Sequence, residues 1–385
     1  MLHVVLDTSV YRANPRRNSP PFRALTRLAH AGKVQIHLPD LVKREFLSQQ
    51  YERVAAELKD LHDHAARLRR TTSSKNLVEL AETVLEASQL EGKTVQASAD
   101  EELDEWLKAT NAAQEPLTAK QVRRAFRDYF AGAPPFKKAR NRDDIPDGII
   151  FHLVLELGHE HEGVHFVVED NALHAAAAAN EHVAVHKKLG DFIQSPPCQK
   201  ALNELSTEVA AANLKRLIAL LPSREEDLAS ETSSAVSSAL DGRDVTDPQI
   251  PDDNNEAIVM GVGEPTAISQ NFDEVELYGE DEIGVSFECL VECSLNYAIF
   301  KSDYHVLDDS KADRISIGER NDHYYDADED YTLRVEGTLS LKLDGDKLEQ
   351  EDLTDEDLED LIAEAEYDVD MKAVSVETQD SPENI

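Results

Sequence analysis

Cysteine is scarce: the 385-residue chain has three, Cys198, Cys289 and Cys293. Their odd number and spacing match no disulfide framework, and three are too few for a four-thiolate metal site, so a disulfide-stapled secreted module is excluded and a reducing cytoplasm is the expected compartment. Long apolar runs are also missing. No stretch approaches the roughly twenty apolar residues of a membrane span, and the first residues enter a strand without a basic leader, so a soluble cytosolic protein with no membrane partner is expected. Basic residues are scarce in one half only. The chain carries 39 Lys and Arg against 77 Asp and Glu, but residues 1–200 hold 27 against 28 while residues 201–385 hold 12 against 49. The net charges are −1 and −37. A salt-adapted surface would be acidic throughout, so the split has a domain-level cause.

This length implies two or three domains. The first apolar strand, Leu2 to Leu6, is followed by a Pro/Arg-rich loop, an amphipathic helix through Phe22, Leu25 and Leu28, and a strand Val34 to Leu38. A long helix then carries Leu47, Tyr51, Val54, Leu58, Leu61, Ala65 and Leu68 as a narrow stripe, expected as a packing seam within a helical insertion or, alternatively, as a dimer seam. A third strand, Val164 to Glu169, an Ala-rich helix and a fourth strand around Val183 complete an alternation that predicts an α/β fold with a parallel sheet. The expected division is an α/β domain over residues 1–195 with the insertion at about 50–135, a helix and polar linker over 196–256, and an acidic β-rich domain over 257–385.

Chemistry-bearing residues concentrate in the first half. Asp7 ends the first strand, at the sheet edge where open α/β folds bind ligands, and Thr8 and Ser9 follow it. An anionic oxygen beside two hydroxyls suits a hard divalent cation. Asp170 ends the third strand in the same way, Glu45 lies in the first turns of the long helix, and Asp147 begins the apolar helix from Gly148. Asp143 and Asp144 compete with Asp147, which alone has the Pro-Asp placement before that helix. Four clustered carboxylates need a cation to relieve their repulsion, and one or two Mg²⁺ or Mn²⁺ ions could activate water and stabilise a leaving alkoxide. His159, His161 and His165 form a weaker candidate for a softer metal, set against an exposed turn. Asp326, Asp328 and Asp330 have calcium-loop spacing without the central Gly, which favours an acidic surface loop. Cys289 and Cys293 share a strand face as core residues.

The order strand-Asp7, helix-Glu45, helix-start Asp147 and strand-Asp170 resembles the PIN domain family, metal-dependent nucleases acting mainly on RNA. The resemblance covers about residues 1–195 and extends to the larger prokaryotic PIN-like proteins with a helical insertion, through Asp128-Tyr129-Phe130-Ala131-Gly132-Ala133-Pro134-Pro135-Phe136, a basic run and Pro146-Asp147. In the family a Ser or Thr commonly stands two residues before the fourth acid and an aromatic three after it; here these are Val168 and Leu173. The resemblance implies an endoribonuclease in which Asp7, Asp147 and Asp170 hold Mg²⁺ or Mn²⁺, Glu45 completes the site, and Thr8 and Ser9 support the metal shell. Arg12, Arg16 and Arg17 on one side and Lys137, Lys138, Arg140 and Arg142 on the other could receive the phosphates of single-stranded RNA. The rival reading is a catalytically weak scaffold that uses its acidic β domain to bind a protein. A phosphatase with an Asp nucleophile fits less well, because the expected second Asp is Ser9. For the acidic domain two roles are open: restraint of the basic loops from a tethered position, or recruitment of a basic protein partner.

Overall fold

Val4, Val5 and Leu6 are wholly buried, as expected for a strand covered on both faces. In the computed structural model, which describes residues 1–88, 92–136, 144–307 and 309–377, they belong to β1 (Leu2–Leu6). The remaining strands of its sheet are β2 (Val34–Pro39), β3 (Ala113–Glu115), β4 (Val164–Val167) and β5 (Val183–His186). The order is β3-β2-β1-β4-β5 and every pairing is parallel. Because the strands all point one way, Asp7 and Asp170 emerge at the same edge of the sheet.

The connecting helices are α1 (Thr8–Ala13), α2 (Pro20–His30), α3 (Asp40–Thr71), α4 (Lys75–Ala87), α5 (Gly92–Ala109), α6 (Ala119–Ala131), α7 (Ile145–Glu160) and α8 (Asn171–Ala178). Two expectations change here. The segment after Asp7 is helical as far as Ala13, so Arg12 sits in the last turn of α1. The insertion is also not purely helical: it returns β3 to the sheet beside β2, with His37 facing Ala113. Three residues are too few to show a period-two pattern. The stripe on α3 is mostly half-buried, with Ala65 fully inside and Leu61 47% exposed.

The chain divides into two compact units, Met1–Leu202 and Asn203–Ile385. Residues 196–256 are expected as a helix and polar linker; helix Glu208–Leu220 is followed by a second helix where the linker is expected, and both contribute to the core of the second unit. Helix Glu208–Leu220 is capped by Thr207, whose side chain accepts from the Ala210 N–H at 3.1 Å. Helix Glu225–Leu240 buries Leu228, Thr232, Val236 and Leu240, one residue per turn of a Ser-rich helix. Leu228, Val236 and Leu240 join a core with Val285, Phe287, Cys289 and Val291.

That core lies against an antiparallel sheet of β6 (Asp244–Thr246), β7 (Glu256–Val262), β8 (Thr266–Leu277), β9 (Glu282–Phe300), β10 (Ser316–Glu319), β11 (Tyr324–Lys342) and β12 (Glu366–Val376). Val285, Phe287, Cys289, Val291, Cys293 and Leu295 face inward in alternation, as do Leu333, Val335, Leu339 and Leu341, and Cys289 and Cys293 are core residues of one strand face as expected. Asp326, Asp328 and Asp330 lie within β11, not in a loop. Asp326 pairs with Arg320 at 3.2 Å, Asp328 accepts from Asn296 Nδ2 at 2.9 Å, and Asp330 accepts from Ser294 Oγ, so cross-strand partners account for their spacing.

Candidate metal centre

β1 ends where the Asp7 N–H donates to the Val167 carbonyl at 3.0 Å, fixing the strand end against β4. Asp7 then caps α1: its Oδ2 accepts from the Ser9 N–H at 3.3 Å and from Ser9 Oγ at 2.8 Å. Asp170 caps α8 similarly, Oδ1 accepting from the N–H groups of Ala172 and Leu173, both at 2.8 Å. These caps engage one oxygen of each carboxylate and orient it, so capping and ligation are compatible roles rather than alternatives.

Glu45 reaches the same place from α3. Thr8 Oγ1 donates to Glu45 Oε2 at 2.8 Å, and Gln49, one turn further along α3, donates Nε2 to Glu45 Oε1 at 3.1 Å. Asp147 stands in the first turn of α7. The four acids line one cleft of about 410 Å³ together with Thr8, Ser9 and Arg12. Gln49, Glu169 and Asn171 complete the lining and were not singled out in the sequence. The signal for Gln49 was its position four residues after Glu45, on the same helix face.

Asp147 carries the electrostatic signature of the cleft. Burial, followed by the charges of Asp7, Asp170, Glu45 and Asp144, raises its pKa from 3.8 to about 7. A site that concentrates anionic oxygen until one carboxyl retains its proton near neutrality has the donor set of a hard divalent cation, so these residues fit one.

Not every expected residue belongs to the cleft. Arg17 is 8% exposed, donates to the carbonyls of Pro15 and Glu102 at 2.7 and 3.4 Å, and stacks over Trp106 at 5.7 Å. Its guanidinium is thus engaged inside the unit, which removes it as a phosphate ligand. Arg16 is exposed but does not line the cleft. Lys137, Lys138, Arg140 and Arg142, with Asp143, lie outside the described residues. The three histidines proposed as a soft-metal cluster are separated. His159 meets His182, His161 stacks on His3, and His165 pairs with His186 at 3.0 Å.

Helix α6 and the residues after it, as far as Phe136, hold α7, the helix that carries Asp147. His152 Nε2 and Asp128 Oδ2 are 2.8 Å apart, and Glu156 of α7 takes Gln121 at 2.9 Å and Lys120 at 2.7 Å from α6. Phe136 then covers Gly148, the residue after Asp147. A Cβ built on Gly148 would meet Phe136 Cζ at 2.4 Å, and the ring is itself buried and set edge-on to Tyr129. Gly148→Ala is therefore expected to destabilise the first unit by about 1–3 kcal/mol, as overpacking does, and to shift the start of α7 with Asp147 on it. Urea unfolding measures the first effect; an unchanged midpoint would show that the ring yields freely.

A PIN domain family model matches residues 4–172. No curated protein and no solved structure matches the chain. The family generally comprises metal-dependent nucleases, and divalent metals are its usual cofactors. Among the described residues no helix is long and apolar enough to cross a membrane. The matched span runs from the first sheet strand past Asp170 and so takes in all four acids of the cleft: residues 4–172 of this chain are a PIN domain.

Proposed function

We propose that the protein is an endoribonuclease that hydrolyses phosphodiester bonds of single-stranded RNA with Mg²⁺ or Mn²⁺. The observation that carries the reading is the convergence of Asp7, Glu45, Asp147 and Asp170, from four separate segments, on one cleft. A bound divalent ion would supply a nucleophilic water at neutral pH and neutralise charge on the phosphate. Asp7, Asp147 and Asp170 would hold it. Glu45, fixed between Thr8 and Gln49, presents an oriented acceptor to a water proton, and Arg12 offers a cation to the scissile strand.

Cleavage of an end-labelled single-stranded RNA tests the reading: activity should require Mg²⁺ or Mn²⁺, vanish with EDTA, and exceed that on the matching DNA. No cleavage of RNA under any divalent metal would favour the scaffold reading. The residue behind that rival is Val168. It is fully buried, its N–H is bonded to the His186 carbonyl at 2.9 Å, and the cleft is lined without it, which supports the catalytic reading. In the same proposal the acidic second unit recruits a basic protein partner.

Lys137, Lys138, Arg140 and Arg142 precede Asp147 within a few residues and are assigned to the RNA backbone. Neutralising all four should weaken RNA binding and flatten its dependence on salt by about 0.7 in the log–log slope for each phosphate that the run neutralises. An unaltered slope would remove the run from the interface.

A further inference from the structure

We propose a second metal site in the first unit, formed by His3, His37 and His161, that takes a borderline transition ion such as Zn²⁺ or Co²⁺. One imidazole nitrogen from each residue lies within 4.8 Å of the others. His3 comes from β1, His37 from β2 and His161 from the end of α7. No two of them are near in sequence, so the convergence is a product of the fold. His3 Nδ1 and His37 Nε2 are 2.9 Å apart, and the rings of His3 and His161 stack with centroids 3.8 Å apart.

The orientation of His37 is the second observation. Its Nδ1 lies 2.7 Å from Glu115 Oε1, and an ionised carboxylate can only accept, so Nδ1 carries a proton and the uncharged tautomer compatible with this contact is the one whose Nε2 presents a lone pair to the cluster. A carboxylate holding the far nitrogen of an imidazole is the arrangement that fixes tautomer and ring direction in metal-bound histidines. Glu115 comes from β3, the short strand that the insertion returns to the sheet. His3 then donates its Nδ1 proton to His37 Nε2; on metal binding that proton would move to His3 Nε2, and Nδ1 would become the ligand without net proton release.

Burial and the neighbouring His161 and His37 lower the pKa of His3 to about 4, so His3 is neutral at physiological pH. Neutral imidazoles favour Zn²⁺ or Co²⁺ over Mg²⁺, which prefers oxygen. A tetrahedral ion with metal–nitrogen bonds of about 2.0–2.1 Å would hold the nitrogens about 3.4 Å apart, so the His3–His37 pair, now 2.9 Å apart, must open slightly to admit the ion while His161, at its helix end, turns toward them. Three protein ligands leave the fourth position to water. His3 and Asp7 are four residues apart on one strand and its end, roughly 13 Å, so this site is separate from the carboxylate cleft.

The test uses the full chain carrying Asp7→Asn and Asp147→Asn, which weakens the carboxylate cleft, titrated with Co²⁺. The expected result is one equivalent bound with the visible bands of a tetrahedral nitrogen-rich centre, displaced by Zn²⁺. Adding His161→Ala, at a half-exposed position, should abolish the bands. Adding Glu115→Gln should weaken Co²⁺ binding about 10–100-fold by loosening His37. Absence of tetrahedral bands, or bands that survive His161→Ala, would overturn the site. Nuclease activity enters neither outcome, so the two proposals fail independently.

Discussion

Asp7→Asn is expected to reduce metal-dependent RNA cleavage by about 10²-fold or more while the protein keeps its fold, because one anionic ligand is removed and no core volume is emptied. The local geometry makes this substitution clean. The carbonyl oxygen of Asn can accept from Ser9 as Asp7 Oδ2 does, so the cap on α1 survives, and the bond from the Asp7 N–H to Val167 involves the backbone alone. Loss of charge is then the main change. Single-turnover rates at saturating Mn²⁺, with circular dichroism to follow the fold, make the measurement. Equal rates for the two proteins would sink the assignment of Asp7 as a ligand.

The carboxylate cleft was legible because each acid stands at an element boundary that the sequence marks. Asp7 follows an apolar strand, Asp170 follows another, Asp147 follows a Pro before an apolar run, and Glu45 lies in the first two turns of a helix that begins after Pro39. Parallel strands then place their ends together, so correct strand identification was nearly enough to assemble the site. The signals that failed were weaker or of the wrong kind. Leu228, Thr232, Val236 and Leu240 do recur every four residues, but the residues between them, mostly Ser with Ala and one Glu, give the composition of a linker, and tertiary burial decided the outcome. Arg17 looked like a phosphate ligand because a basic loop beside an acid suggests one. Its stacking on Trp106, 89 positions away, depends on how α5 packs and has no local sequence signal. His3 and Glu115 were missed as partners of His37 for the same reason.

Asp147 should make the metal-free protein less stable as pH rises, and Asp147→Asn should remove that loss. The native carboxyl titrates at about 7, against about 4 in the unfolded chain. Between those values the native state binds more protons than the unfolded state, so the contribution of Asp147 to stability is fully present below pH 4 and is lost as pH rises through 7. Solvent in the open cleft screens part of the effect, leaving on the order of 2 kcal/mol. The second unit, with its large acid excess, also responds to pH. For that reason the informative quantity is the difference between wild type and Asp147→Asn in the unfolding of the first unit, measured in EDTA. The two should coincide near pH 4, and the variant should be the more stable at pH 8. Mn²⁺ at pH 8 should then stabilise the wild type more than the variant, since a ligand that binds only the native state adds RT ln(1 + [L]/Kd) and the variant holds the ion with one carboxylate fewer. A variant less stable than wild type in EDTA at pH 8 would mean that Asp147 is held by favourable partners, and the cleft would then not be the repulsive cluster that calls for a cation.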